Sequence, residues 1–495
     1  MAKPYDFVII GAGISGLSLA SILSKEGFRV ALVEKNRFLG GNLSSFKKEG
    51  VIFDTGIHYT GGFDDGRILD IFFKYLGIRS KIQLKRQDLH CFDEVQINED
   101  KFEFAQGYDL HIDKMCNYFP QYCKQIKDYY NEIVKYGSLT DIDSIFSKVI
   151  NFESLSIGVY KKVFQTIGNE RITNILTATN ALYAGKKGIT PFVIHAHVLD
   201  AYINDSWKFV GGGQHLADAM AELIEANGGK IFKGSAATTF NFDDRNIKSV
   251  SLSDGECVEG RRFISTLHPQ VTLKMLPEQQ WRKSTVDRIQ SIPNTMGMFS
   301  LYLVMKPKSF QYINHNIYHF EHYDTWMAER YDPNKWPESF LIYSQVNDPN
   351  QEYADGIVVM TYMDYSEVTQ WSGLRINNRG EAYQAFKNEK TELLLKKVER
   401  SYPGIRAKIQ TVYSSTPVTY ESYYNMPEGA SYGIQRNCND PIINTLMSVT
   451  KTPNLFLAGQ SVSIHGLFGV IVGSVILASY FIGKEHLINK LNQTT

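Results

Sequence analysis

The alternation of apolar and polar positions divides the chain into stretches of distinct period. Tyr5-Asp6-Phe7-Val8-Ile9-Ile10 is a short β-branched apolar run, which predicts one buried parallel strand. Leu17, Leu19, Ala20, Ile22 and Leu23 then give a helix its apolar face, and Gly27 ends it. Val30-Ala31-Leu32-Val33 predicts a second strand closed by Glu34, and Val51 to Thr55 a third that stops at Gly56. From Gly61 to Lys208 the period is mostly helical. Tyr118, Tyr122, Ile126, Tyr129, Tyr130 and Ile133 recur at three- and four-residue spacings and predict a single amphipathic helix facing a core. Leu216 to Ala226 predicts another helix, with Leu216, Met220, Leu223 and Ile224 on one side and Asn227-Gly228-Gly229 ending it. A strand opens at Ile231-Phe232. Ala237–Phe242 and Ile247–Leu252 form a predicted hairpin, and Arg262 to Thr266 a strand returning to the first sheet. Gly297–Met305 and Gly356–Met363 read as strands, and Glu381–Tyr402 as a helix stopped by Pro403-Gly404. Leu455 to Ala458 predicts a last strand, followed by a buried helix from Gly469 to Phe481.

The turn after the first strand carries chemistry. Gly11-Ala12-Gly13-Ile14-Ser15-Gly16 has dinucleotide-fingerprint spacing: Gly11 for the tight turn, Gly13 for close approach to a pyrophosphate, Gly16 for close helix packing. The helix that starts there aims its amides and positive dipole end at phosphates. Glu34 ends the second strand 18 residues after Gly16, where a carboxylate accepts from ribose hydroxyls. That acid argues against a 2′-phosphate and leaves FAD or NAD. Beyond Lys35, Gly40-Gly41-Asn42 is either a second close approach to a cofactor or an ordinary loop, and spacing alone leaves both open.

Composition narrows the class. At 495 residues the chain predicts about two or three domains. Lysine plus arginine equals aspartate plus glutamate, 52 each, so nothing suggests capture of nucleic acid. Five cysteines lie scattered without CxxC; Cys116 and Cys123 read as core packing, no metal site is expected, and a reducing, cytoplasmic compartment fits. Met1-Ala2-Lys3-Pro4 leaves no room for a signal peptide before the first strand. Asn454 to Gly483 holds no formally charged side chain, and Gly469 and Gly473 mimic a transmembrane packing motif. Its uninterrupted part, Leu467 to Ile482, has 16 residues, short of the roughly 20 a bilayer needs. A cofactor-facing helix accounts for the run better, with Gly459-Gln460 as the turn that precedes it.

Phe53-Asp54-Thr55-Gly56-Ile57-His58-Tyr59, joined to the fingerprint and to Gly40-Gly41, resembles the retinol-saturase branch of the FAD-dependent phytoene desaturase and carotenoid isomerase family. That family lies within the wider amine-oxidase-like FAD superfamily. Thr190-Pro191, Ile194-His195-Ala196, Phe209 to Gly213, Pro427 to Gly433 and Asn454 to Gln460 are similar to further family segments, so the likeness runs from about Asp6 to Ile482. Two positions depart. Gln460-Ser461 stands where many relatives carry an acid, and Asn42 follows Gly41 where an arginine is common in the wider superfamily; the second weakens a reading as an amine oxidase.

The resemblance implies an α/β fold with a Rossmann-like FAD-binding domain in three pieces (1–60, 209–268, 417–495). A helical cap (61–208) and a mixed-sheet segment (269–416) would form the substrate domain. It implies FAD at Gly11, Ala12, Gly13, Ile14, Ser15, Gly16, Glu34, Lys35, Gly40, Gly41, Asn42, Gly56, Ile57, His58, Ala237, Gly459, Gln460, Gly466, Gly469, Val470 and Ile471. Hydride transfer through flavin N5 to a C=C bond of a polyene or isoprenoid lipid is the implied reaction. His58, Tyr59 and Tyr432 are the candidates for proton donor or tunnel wall. A desaturase, a cis–trans isomerase and a non-catalytic flavin- and lipid-binding protein use the same motifs. An apolar substrate also implies peripheral membrane contact, and the electron donor stays open.

Overall fold

The computed structural model describes residues 3–147, 152–277 and 280–494; Met1 and Ala2 of the leader reading lie outside them. Tyr5–Ile10 is the middle of a parallel layer, paired on one side with Val30–Glu34 and on the other with the second half of Cys257–Ser265. Lys230–Lys233 extends the layer beyond Val30–Glu34, and Leu455–Leu457 beyond Cys257–Ser265. Phe7, Val8 and Ile9 are wholly buried, as a strand covered on both faces requires. Helices Ile14–Lys25, Gln214–Ala226 and Gly466–Ile482 pack around Phe7, Ile9 and Leu32 on one face. The hairpin Ala237–Asp243/Asn246–Leu252 continues the first half of Cys257–Ser265 and covers Val8, Ile10 and Val33 on the other. Chain segments far apart in sequence thus meet in one parallel layer.

The second sheet has seven strands in the order Ile409–Ser415, Gly297–Met305, Gly356–Met363, Ser339–Ser344, Asn316–Phe320, Asp93–Ile97, Asp100–Phe104. Neighbours are antiparallel except Asn316–Phe320 with Asp93–Ile97, so the sheet is mixed. One face packs Phe299, Leu301, Ile357 and Val359 against the helix Gly380–Ser401. The other turns Met298, Met360, Tyr362, Tyr343 and Tyr318 toward the helical segment that contains Phe192–Asn204. Each fully buried aliphatic or aromatic side chain in these layers contributes roughly 1.5–3 kcal/mol.

Three expectations are corrected. The segment 61–208 is not all helical, because Asp93–Ile97 and Asp100–Phe104 complete the seven-stranded sheet. The stripe from Tyr118 to Ile133 is not one helix: Pro120 disfavours helical geometry at Phe119, so one helix ends at Tyr118 and the next spans Cys123–Gly137. Tyr118 is exposed, while Ile126, Tyr129, Tyr130 and Ile133 are core. That break brings Cys116 and Cys123 together as a disulfide rather than as packed thiols, which removes the cysteine argument for a reducing compartment. Among the described residues no helix is long and apolar enough to cross a membrane, and no metal-binding cluster occurs.

Candidate functional site

The glycine turn forms because each glycine meets a separate demand. Gly11 has φ +97°, a conformation side chains rarely adopt. A Cβ on Gly16 would lie 1.9 Å from the Gly11 carbonyl oxygen. A Cβ on Gly13 would meet nothing within 4 Å, so that glycine faces open space. Gly40 and Gly41, at φ +111° and +55°, close over the same turn: Gly40 N–H donates to the Ala12 carbonyl at 2.8 Å, and a Cβ on Gly41 would sit 3.2 Å from Gly13 Cα. The double glycine is therefore packed directly on the first glycine turn rather than being an ordinary loop.

An open cleft runs along this double turn. Of the expected cofactor contacts, Gly11, Gly13, Ile14, Ser15, Glu34, Lys35, Gly40, Gly41, Asn42, Gly56, Ile57, Ala237, Gly459, Gln460, Gly466 and Val470 line it, and so does Tyr432. Two helix N-termini, at Ile14 and at Gly466, open onto it and offer unpaired amides and positive dipole ends. The cradle of glycines and the paired helix ends fit a dinucleotide pyrophosphate.

The remaining candidates stand behind the wall. Ala12 gives its N–H to Glu34, and Gly16 packs on Gly11. Gly469 lets its helix press on Ile464, and Ile471 is wholly buried in the core. His58 does not line the cleft; its ring stacks on Tyr343 with centroids 4.5 Å apart, and both ring nitrogens lack a partner. Burial and the nearby Lys208 charge push its pKa down to about 3, so it is neutral. Tyr59 donates to Asp93 at 2.9 Å and meets Tyr318 at 2.5 Å, hydroxyl to hydroxyl. Asp93 is wholly buried and its pKa rises to about 7, while Lys208, also buried, falls to about 7. Tyr59 thus belongs to a buried polar network with Asp93 and Tyr318, while His58 is held beside it by ring stacking alone; the linear sequence scatters these residues beyond recognition.

The sequence reading missed several wall residues: Asn36, Ala236, Thr266 to His268, Met298, Met360 and the tyrosines Tyr420, Tyr423 and Tyr424. It also missed Arg436. This buried guanidinium donates to the carbonyls of Asn444, Ser461 and Ser463 at 2.8–3.0 Å and so holds the turn that follows Gly459. Asp54 has a comparable role: it accepts from Ser45 and from the Gly213 N–H, so the Gly211-Gly212-Gly213 motif serves to dock one turn on another. A lone arginine or aspartate gives no linear signal for this.

The flavin containing amine oxidoreductase family matches residues 14–478. The chain belongs to this family. Its cofactor is FAD, which the cleft fits, and the chain is a flavin-dependent oxidoreductase. It is similar to the all-trans-retinol 13,14-reductase of Homo sapiens, 23% identical over 98% of this chain and 87% of the relative. It is similar to prolycopene isomerase 2, chloroplastic, of an Oncidium hybrid cultivar, 23% identical over 93% of this chain and 80% of the relative. Among solved structures, an oxidoreductase from Methanosarcina mazei shares the fold with a TM-score of 0.66 at 14% identity, over 95% of this chain and 99% of that one.

Proposed function

We propose that the chain saturates a conjugated C=C bond of a polyene or isoprenoid lipid. The carrying observation is the cleft wall beyond the glycine turns. Met298, Met360, Leu467, Val470 and Tyr432 face it there, none of them charged, whereas Glu34 and Lys35 stand beside the turns. Such a wall suits a hydrocarbon chain; a small cationic amine would find no carboxylate in it. The name of the human relative supports the direction of reduction.

In this reading the cleft-lining residues named above hold FAD, which when reduced supplies a hydride at N5. The chain's own part is to bind, orient and exclude water. Tyr432 lines the cleft, and its N–H donates to Thr295 Oγ1 at 2.9 Å, which fixes its backbone. Burial raises its pKa, so it keeps its proton until a strongly basic carbanion forms on the neighbouring polyene carbon. We assign Tyr432 as that proton donor. Two electrons then come from a donor outside the chain.

Isomerisation without net redox change is a second reading, favoured by the name of the Oncidium relative. Desaturation is the same step reversed. The uncharged Gln460-Ser461 pair mildly favours a non-catalytic lipid binder. One anaerobic experiment separates them: the flavin is reduced, all-trans-retinol is added, and the visible spectrum is followed. Saturation returns oxidised flavin while the polyene band moves to the blue. Isomerisation moves the polyene band slightly with the flavin still reduced. No change in either rejects retinol as substrate.

We further infer peripheral contact with a bilayer. Ile442, Met447 and Val449 are 67%, 70% and 55% exposed on one short segment, far more than such side chains usually are. Arg282, Lys283 and Lys451 are exposed as well and suit an anionic headgroup layer. Sedimentation with anionic liposomes is the test, and protein left in the supernatant ends the inference.

A further inference from the structure

A second, smaller cavity lies behind the apolar wall of the cleft. Met298 and Met360 line both spaces, so these two side chains are the partition between them. They come from adjacent central strands, where Met298 pairs with Tyr362 and Met360 with Ser300. Methionine is unbranched and turns about three bonds, so a partition built from two of them opens at low cost.

Behind the partition the lining is apolar, with Ala181, Ala328, Phe320, Phe340 and Leu341. Tyr362 also lines it, 3% exposed, and its hydroxyl has no hydrogen-bond partner. A buried hydroxyl left unpaired costs roughly 1–3 kcal/mol, so an orphan of this kind calls for an explanation. The nearby polar groups do not supply one. Thr361 gives its hydroxyl to the Ser339 carbonyl at 2.7 Å, and Asn180 gives its amide to the Thr325 carbonyl at 3.3 Å. The space left is about 10 Å³, the size of one water-like group. A lone water would be held poorly there, because it needs two to four polar partners and finds few in an apolar lining.

We propose that this cavity seats the polar end of the lipid substrate, that the end-group is an uncharged oxygen, a hydroxyl or a carbonyl, and that Tyr362 Oη is its hydrogen-bond partner. The proposal rests on the polyene reading and adds the chemistry of the substrate's terminus. The chain of the lipid would pass between Met298 and Met360, with its oxygen beyond them and its double bonds in the cleft. A carboxylate end is disfavoured: no cationic side chain lines the cavity, and Glu329 is close enough to act electrostatically on Tyr362.

The test is binding rather than turnover. Quenching of tryptophan fluorescence in the FAD-loaded protein is titrated with all-trans-retinol and with the same polyene ending in methyl. The wild-type protein is expected to prefer retinol by about tenfold, and Tyr362→Phe to abolish that preference while leaving the hydrocarbon's Kd unchanged. Ala328→Phe, which fills the cavity and leaves the hydroxyl in place, is expected to weaken both ligands about tenfold without changing the flavin spectrum. Retention of the preference in Tyr362→Phe overturns the assignment, as does its absence from the wild type, with the polyene reading intact. Failure of both polyenes to bind the wild type removes the polyene reading itself, and the end-group with it.

Discussion

Glu34 Oε2 accepts the Ala12 backbone N–H at 2.9 Å, and Glu34 Oε1 accepts that of Asn36 at 2.9 Å. One carboxylate therefore ties the end of the second strand to the middle of the glycine turn while it lines the cleft. Each oxygen keeps a lone pair free, so holding the turn does not prevent it from accepting from a ribose. Glu34→Ala should lower the stability of the flavin-free protein by about 1–3 kcal/mol, since two amides lose a charged acceptor at a partly exposed site. Flavin affinity should drop at least about tenfold. Urea unfolding and fluorescence titration of flavin-free protein measure the two effects separately.

Gly13 and Gly16 should separate in the same pair of measurements. A Cβ at Gly16 would overlap the Gly11 carbonyl, and backbone cannot step aside as a side-chain tip can. Gly16→Ala should therefore destabilise the flavin-free protein by about 3 kcal/mol or more. Gly13 has φ −69° and open space where its Cβ would point. Gly13→Ala should leave the flavin-free protein as stable as the wild type and lose flavin binding, because the methyl occupies the pyrophosphate's place. Equal losses of stability in both variants would contradict this account.

Much of this site is readable in the chain because it is local. The fingerprint, the double glycine and the strands Gly297–Met305 and Gly356–Met363 are continuous patterns, and the two strands form with the predicted ends. Asp93–Ile97 escaped because its sequence, Asp-Glu-Val-Gln-Ile, is polar at three of five positions. Only tertiary partners make it a strand: Asp93 is buried because Tyr59 and Asn316 satisfy its carboxylate. Asp205 is another such case, accepting the amides of Gly62, Phe63 and Asp64 from more than a hundred residues away. The break at Pro120, by contrast, was legible, and the helical stripe on either side of it hid the signal.

His195 and Asp93 should give opposite pH signatures. His195 is wholly buried between the hydroxyls of Tyr129 and Tyr183, at 2.7 and 3.0 Å. Burial pushes its pKa from 6.5 to about 3, so below pH 6.5 the unfolded chain takes up a proton that the fold excludes. Its contribution is present above pH 6.5 and is lost as pH falls toward 3, at about 1.4 kcal/mol per unit. Asp93 is raised by burial from 3.8 to about 7, so its contribution is full below 3.8 and lost as pH rises through 7. His195→Gln should therefore flatten an acid-side fall in unfolding free energy between pH 6 and pH 4. Asp93→Asn should remove a fall that runs the other way, toward pH 7. Urea unfolding of the three proteins across that range reads both slopes, and parallel curves would reject both assignments.

Arg436 reaches the cofactor cleft only through the backbone it holds. The residue is 8% exposed, its guanidinium donates to three carbonyls, and burial lowers its pKa to about 10. Two large terms oppose each other here. Three hydrogen bonds from a charged donor contribute roughly 1.5–3 kcal/mol apiece, and desolvation of the charge costs several kcal/mol. Arg436→Met gives up both, so the net change in global stability should be small, about 1–3 kcal/mol. The local change should be larger, because the carbonyls of Ser461 and Ser463 lose their anchor next to Gly459-Gln460 and the helix start at Gly466. Flavin affinity should fall about tenfold, with faster amide exchange across Ser461 to His465. Arg436→Lys should lie between the two, since one ammonium cannot span carbonyls that the planar fork reaches together. Unchanged flavin affinity in Arg436→Met would mean that the turn holds its shape without this side chain.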